Sequence, residues 1–357
     1  MAGRLCPSGE SLYTWAMIRA FLFFMSVAAY AGPCITANTE CTEWVSLGGG
    51  RSRSLIYRTY PLETRSEGIS RALIMVHGAG RDADNYFRTA VAAAFLGGAL
   101  EDTIVIAPRF ASNDGRSCRD TLAAGEVSWR CNGDSWRSGG VSLNDEKLTS
   151  YDLMDVILRK LARKGVFPNL KTIVLAGHSA GGQFVTRYEM ANKVHETLGV
   201  AVTYVVSNPS SYAYLDANRP ADDGKEFRAY GNGRSCAAFD RWPYGLQGRT
   251  GYAAQTPDEV LKKQVAARPV VYLLGEIDIL PLGGFDSSCP AMAQGGTRLA
   301  RGQSFGAYVN QKYGAQHKVM VIPLCGHNAR CMFTAEPALP ILFPSSRDGT
   351  GSRGGRQ

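Results

Sequence analysis

Histidine is scarce in this chain, with five among 357 residues, and the five are scattered. No His-Glu-x-x-His stretch or clustered Asp/His set occurs, so a zinc-hydrolase arrangement has no sequence basis and no metal is expected. Charge is thin as well, at 20% Asp, Glu, Lys and Arg. The formal net charge of +8 includes +2 from the tail beginning at Ser345 and +1 from the segment before Gly32, which leaves +5 for residues 32–344. No Lys/Arg run or aromatic-interleaved basic stripe gathers that charge, which argues against a nucleic-acid partner. Long hydrophobic runs are also missing: Ala20 to Ala29 is too short to span a bilayer. With no internal repeat, one large domain over residues 32–344 is expected. Hydrophobic residues at 45% suffice for a buried sheet covered by helices.

The Ala20 to Ala29 run follows Arg19 and precedes Ala29-Tyr30-Ala31, the form of an export leader with a small-x-small cleavage site before Gly32. Residues 1–31 are therefore expected to be a signal peptide. The mature chain is expected to be extracellular or periplasmic, with no stable membrane insertion; an uncleaved N-terminal anchor is the alternative. A start at Met17 would place Met-Ile-Arg directly before the apolar run, a more usual leader than one starting at Met1. Export also suits the cysteines, of which there are nine. Removing the leader takes Cys6 and leaves an even set for an oxidising compartment. Clustering suggests the pairs Cys34–Cys41, Cys118–Cys131, Cys236–Cys289 and Cys325–Cys331.

Glu43 to Leu47 and Ser54 to Tyr60 read as a strand hairpin around Gly48-Gly49-Gly50. Arg71 to Val76 is a strand that stops at His77-Gly78-Ala79-Gly80, and Asn85 to Leu96 has helical spacing. The alternation continues with strands at Thr103 to Ala107, Lys171 to Ala176, Val200 to Val206, Pro269 to Leu274 and His317 to Leu324. Helices are expected at Asn144 to Leu161, Ala180 to Asn192, Asp258 to Ala266 and Gln303 to Tyr313. Such a pattern predicts an α/β fold with a mostly parallel, doubly wound sheet and helices on both faces. Residues 110–143 and 208–257 break it and read as cysteine-containing insertions over the sheet. Residues 345–357, rich in Gly, Ser and Arg, are expected to be a disordered tail.

Gly177-His178-Ser179-Ala180-Gly181 falls where an apolar strand meets a helix, the setting of a nucleophile elbow. The serine sits on a strained turn, and the flanking glycines remove side chains that would collide with it. A serine hydroxyl needs a base within reach and an acid to hold that base in the correct tautomer. His77 and His178 are embedded in Gly-rich loops, His195 ends a helix and His317 begins a strand. His327 alone follows the last strand, in Leu324-Cys325-Gly326-His327-Asn328. A Cys-Gly-His-x-x-x-Cys stretch with one histidine suits a disulfide bracing a catalytic loop better than zinc. For the acid, Asp278 follows the strand Val270 to Leu274 by a short turn, with Glu276 and Asp286 as competitors. Acyl transfer also needs N–H donors for the oxyanion. Ala180 is expected to supply one and Ala79 or Gly80 the other.

With these residues in place, the chain resembles α/β-hydrolases from about Ser54 to Phe343, and among them secreted esterases of the polyhydroxybutyrate-depolymerase and feruloyl-esterase kind. Four elements recur in the family's order: His77-Gly78, the Ser179 elbow, Asp278 and His327. The resemblance implies the α/β-hydrolase fold, no cofactor, and hydrolysis through an acyl-enzyme on Ser179. The expected substrate is a small-molecule or polymeric ester. A serine peptidase or acyltransferase on the same residues is the enzymatic alternative, and a non-catalytic binding protein that retains the fold is the other. In the second insertion, Tyr212, Tyr214, Trp242 and Tyr244 are candidate substrate contacts, and a small core of the insertion is the equal alternative. Trp129 and Trp136, beside Cys131, are expected to be structural.

Overall fold

The apolar runs of the sequence become the strands of one large sheet. The computed structural model describes residues 32–115, 117–132, 135–221, 224–231 and 236–344. The expected leader with its Met17 start and Cys6, and the expected tail, lie outside the described residues. In chain order the elements are β1 (Thr42–Ser46), β2 (Arg53–Arg58), β3 (Arg71–Val76), α1 (Ala83–Leu96), β4 (Thr103–Pro108), α2 (Ser150–Leu161), β5 (Thr172–His178), α3 (Ala180–Ala191) and β6 (Ala201–Ser207). They continue with β7 (Asn218–Pro220), β8 (Phe227–Ala229), α4 (Asp258–Ala267), β9 (Val270–Gly275), α5 (Cys289–Met292), α6 (Arg298–Tyr313), β10 (Lys318–Ile322), α7 (Ala329–Thr334) and α8 (Leu339–Leu342). All belong to the unit that begins at Pro33.

The main sheet runs β1-β2-β4-β3-β5-β6-β9-β10. The β1–β2 hairpin is antiparallel and β2 meets β4 antiparallel, while every pairing from β4 to β10 is parallel. Successive side chains of a strand face opposite ways, so β5 sends Ile173 and Leu175 to one core layer and Val174 and Ala176 to the other. Leu153 of α2, Phe184 of α3, Leu261 of α4 and Phe305 of α6 fill the first layer. Phe87 of α1, Met332 of α7 and Leu342 of α8 fill the second. The sheet is thus covered on both faces, as parallel strands require.

Two helix starts differ from expectation. α2 begins at Ser150, six residues after Asn144, because Thr149 N–H donates to Asp152 Oδ2 at 2.7 Å and closes a capping box. Asn144 instead closes the first insertion, accepting from Ser128 N and donating to Glu126 O. α6 begins at Arg298 rather than Gln303, with Thr297 accepting from Ala300 N at 3.1 Å. Gly302 lets this helix lie close on β9, since a Cβ there would overlap Leu274.

Four disulfides join Cys34–Cys41, Cys118–Cys131, Cys236–Cys289 and Cys325–Cys331. The first insertion packs inward: Trp129 and Trp136 are buried, and Trp136 stacks on Phe110 at 5.1 Å. The second carries the β7–β8 hairpin and is tied to α5 through Cys236–Cys289. Among the described residues no helix is long and apolar enough to cross a membrane.

Candidate functional site

β5 ends at His178 and α3 begins at Ala180, so Ser179 alone makes the turn between them. Its φ of 58° and ψ of −117° lie in a region that L-residues rarely occupy, a strain of order 1–3 kcal/mol that the surrounding packing must offset. That packing leaves no room for side chains. A Cβ at Gly177 would overlap the carbonyl of Gly181, one at Gly181 would overlap that of Val76, and one at Gly182 would lie 2.6 Å from Ser207 O. Ser179 N–H donates to Ser207 O at 2.9 Å, which ties the turn to β6.

Beyond β10, Cys325 and Cys331 bracket a loop whose Asn328 caps α7 by accepting from Cys331 N. The loop brings His327 Nε2 to 2.9 Å from Ser179 Oγ. The far nitrogen, Nδ1, lies 2.8 Å from Asp278 Oδ2, at the turn after β9. With Nδ1–H donated to the carboxylate, Nε2 is left to accept the serine proton. Asn208, with φ 46°, joins the two loops: its Oδ1 accepts from Gly275 N at 2.8 Å and its Nδ2 donates to Gly326 O at 3.2 Å.

The competing groups point elsewhere. Glu276 accepts from Leu324 N and Asp286 accepts from the Tyr244 hydroxyl. His77 accepts from Phe110 N, His195 bonds Tyr204, and His317 lies between Tyr272 and Val265 O. His178 lies tilted beside His327, ring centroids 4.6 Å apart, with its Nδ1 3.1 Å from the Tyr86 hydroxyl. Burial holds His178 well below the ordinary histidine value, and the neighbouring His327 and Arg298 push the same way. It is therefore neutral.

Ser179 and His327 open into a cleft of 540 Å³ that Gly78, Ala79, Gly80, Asp82, Asn85 and Arg330 help to line. As the first residue of α3, Ala180 has an N–H with no intrahelical acceptor. Ala79 and Gly80 line the same cleft from the loop after β3. That loop is fastened at several points. His77 Nδ1 contacts Gly78 O at 2.9 Å, Arg81 donates to Ala79 O at 3.0 Å, and Arg81 pairs with Asp120 of the first insertion at 2.8 Å. Burial pushes His77 down to about 4, so it too is neutral and can accept from Phe110 N. Among the described residues no three His, Cys, Asp or Glu side chains converge as metal ligands.

A family model described as the alpha/beta hydrolase family matches residues 73–339. The chain belongs to the alpha/beta hydrolase family. Two solved structures share the fold of this alpha/beta hydrolase. LpqC, a poly(3-hydroxybutyrate) depolymerase from Bordetella parapertussis, is 20% identical with a TM-score of 0.57, over 83% of this chain and 85% of its own. Poly(aspartic acid) hydrolase-1 from Sphingomonas sp. KT-1 is 22% identical with a TM-score of 0.56, over 82% of this chain and 94% of its own. No curated protein matches the sequence.

In this alpha/beta hydrolase Tyr212 and Tyr214 of the second insertion take the alternative reading, core rather than substrate contact. Tyr212 and Tyr214 are fully buried, packed on Phe305 of α6 at 4.6 and 5.2 Å. Trp242 is half-buried against the same core layer, and Tyr244 donates to Asp286 Oδ2 at 2.8 Å. None of the four lines the cleft that holds Ser179. The reason is α6: once its first turns are helical, Phe305 and Tyr308 face the segment after β6 and draw its tyrosines into the core. Sequence reasoning passed over Asn208's stitching, Arg81, Tyr86 and Arg298. Arg298 had one legible signal, the capping threonine before it.

Proposed function

We propose that this alpha/beta hydrolase is an exported serine esterase that cleaves carboxylic esters through an acyl-enzyme on Ser179. The observation that carries the proposal is the hydrogen-bonded chain from Ser179 Oγ through His327 to Asp278, at 2.9 and 2.8 Å. In the reaction, Ser179 Oγ attacks the ester carbonyl as its proton passes to His327 Nε2, and Asp278 stabilises the imidazolium. N–H groups of Ala180 and of Ala79 or Gly80 receive the oxyanion. Collapse expels the alkoxide, which takes the proton from His327. Water then repeats the sequence on the acyl-enzyme, with His327 again as base.

An open cleft lined by Asp82, Asn85, Asn328 and Arg330 suits an ester that carries further polar groups, short or polymeric, better than a long alkyl chain. Poly(3-hydroxybutyrate), the polymer for which the depolymerase LpqC is named, falls in that class. Export is supported by four disulfides, which persist in oxidising compartments. Gly32 as the mature N-terminus by mass spectrometry tests it, and retention of Ala20 to Ala29 refutes it. For the esterase, rates on short activated esters and on hydroxybutyrate oligomers are compared between the wild type and Ser179→Ala. Equal rates dismiss the nucleophile, and preferential cleavage of amides shifts the assignment to a peptidase.

A further inference from the structure

We infer that Arg298 is a positioning residue, fixing the rotation of the Asp278 carboxylate and setting how strongly that carboxylate holds the His327 imidazole. The inference rests on the triad reading above. Arg298 is fully buried at the start of α6, where a cation is tolerated only if its donors are met. They are met within the site. Nη1 donates to Asp278 Oδ1 at 3.3 Å, on the opposite carboxylate oxygen from the one that meets His327. Nη2 donates to Leu282 O at 2.7 Å and Gly283 O at 2.9 Å. Nε donates to Ser210 Oγ at 2.9 Å.

One guanidinium therefore grips both the acid and the loop that follows it. The loop in turn leans on the base, because a Cβ at Gly283 would stand 3.2 Å from His327 Cδ2. Asp278 is docked from its backbone as well, its carbonyl accepting from Leu299 N at 3.4 Å. The carboxylate is held on one side by a cation and on the other by the imidazole, with no freedom to rotate away from either.

The electrostatic consequence has a definite sign. His178, Tyr86, Asp82 and Arg330 share the cleft with His327, and the first two are neutral. Glu276 lies beside the base loop through Leu324 N, and Arg301 lies behind Arg298 with Phe285 against both. Among the described residues, Arg298 is the one charged group besides His327 that touches the Asp278 carboxylate. Its positive charge cancels part of the field by which Asp278 favours the imidazolium. Removing that charge favours protonated His327, so the base is lost at a higher pH and the acid limb of kcat/KM moves up.

The test uses the full chain and p-nitrophenyl acetate, comparing pH profiles of the wild type, Arg298→Gln, Arg298→Met and Arg298→Lys. In the Gln and Met variants the acid limb is expected to rise by about one pH unit, the order one charge exerts across a carboxylate at an effective dielectric of 20 or above. kcat is expected to fall at least about tenfold as the acid loop loosens. The Lys variant keeps the charge, so its limb stays within a few tenths of a unit while kcat remains reduced. Removing one partner of a buried pair is destabilising, so the profiles are taken below the melting temperatures of the neutral variants, and Met serves as the second neutral variant if Gln does not fold. An unmoved or lowered limb in the neutral variants overturns the inference, whatever their melting temperatures, and so does an equal rise in Lys. A wild type that a fluorophosphonate labels at Ser179 confines such a failure to Arg298; an unlabelled wild type marks failure of the triad reading itself.

Discussion

Replacing Asp278 by Asn tests the acid through a consequence of its surroundings. In the wild type, Oδ2 faces His327 Nδ1 at 2.8 Å and Oδ1 faces Arg298 Nη1 at 3.3 Å. Asparagine has one acceptor and one donor at those places, and Arg298 can only donate. Its carbonyl oxygen is therefore drawn to Arg298, which leaves the amide NH2 facing Nδ1. Nδ1 must then accept, so the proton sits on Nε2 and His327 cannot take the proton of Ser179. Such tautomer reversal lowers kcat on the order of 10⁴-fold, about 5 kcal/mol of transition-state stabilisation. Arg298 also loses its counter-charge while remaining buried, a destabilisation of about 3 kcal/mol. Steady-state rates on p-nitrophenyl acetate, with thermal melts to show that the variant is folded, give both numbers. A folded Asp278→Asn within tenfold of wild type would refute the assignment. Glu276→Gln, expected within about threefold of wild type, is the control for the competing carboxylate.

Gly181→Ala is expected to yield no soluble folded protein, because its Cβ would overlap the Val76 carbonyl and stand 2.6 Å from that of His77. Gly165→Ala, with open space around it, is expected to melt like wild type. Asn208→Ala frees Gly275 N and Gly326 O, the ties between the acid and base loops, and is expected to lower Tm by an amount equivalent to about 2 kcal/mol and kcat about tenfold. Stability is expected to fall between pH 6.5 and 4. Burial pushes His77 and His317 from 6.5 down to about 4, so in that window the unfolded chain binds protons that the folded chain refuses. Each histidine then withdraws up to about 3 kcal/mol as pH drops through the window. Melts of wild type and His317→Gln at pH 7, 5.5 and 4 check this, with a shallower slope expected in the variant and an equal slope contradicting it.

The centre of the sheet was legible because β3, β4, β5 and β9 are buried on both faces and read as uninterrupted apolar runs. The elbow was legible because steric demands at Ser179 dictate glycine at fixed local offsets. Three disulfides close loops of 13 residues or fewer, short enough for proximity to suggest them. α6 was placed too late because Arg298, Arg301 and Gly302 interrupt its apolar spacing, although each is used in burial or close packing. The tyrosines after β6 carry no local mark of their fate; Phe305, Tyr308 and Tyr272 decide it from distant segments. Asn208 bonds a backbone carbonyl 118 residues away, and no single-sequence pattern encodes such a partner.

Brief reaction of the folded chain with p-nitrophenyl acetate, an acid quench and peptide mass spectrometry tests the central claim most directly. One acetyl group per chain, on the peptide containing Ser179 and absent from Ser179→Ala, is the predicted result. An acetyl on any other residue, or turnover with none trapped on Ser179 under conditions where deacylation is slow, would contradict the account.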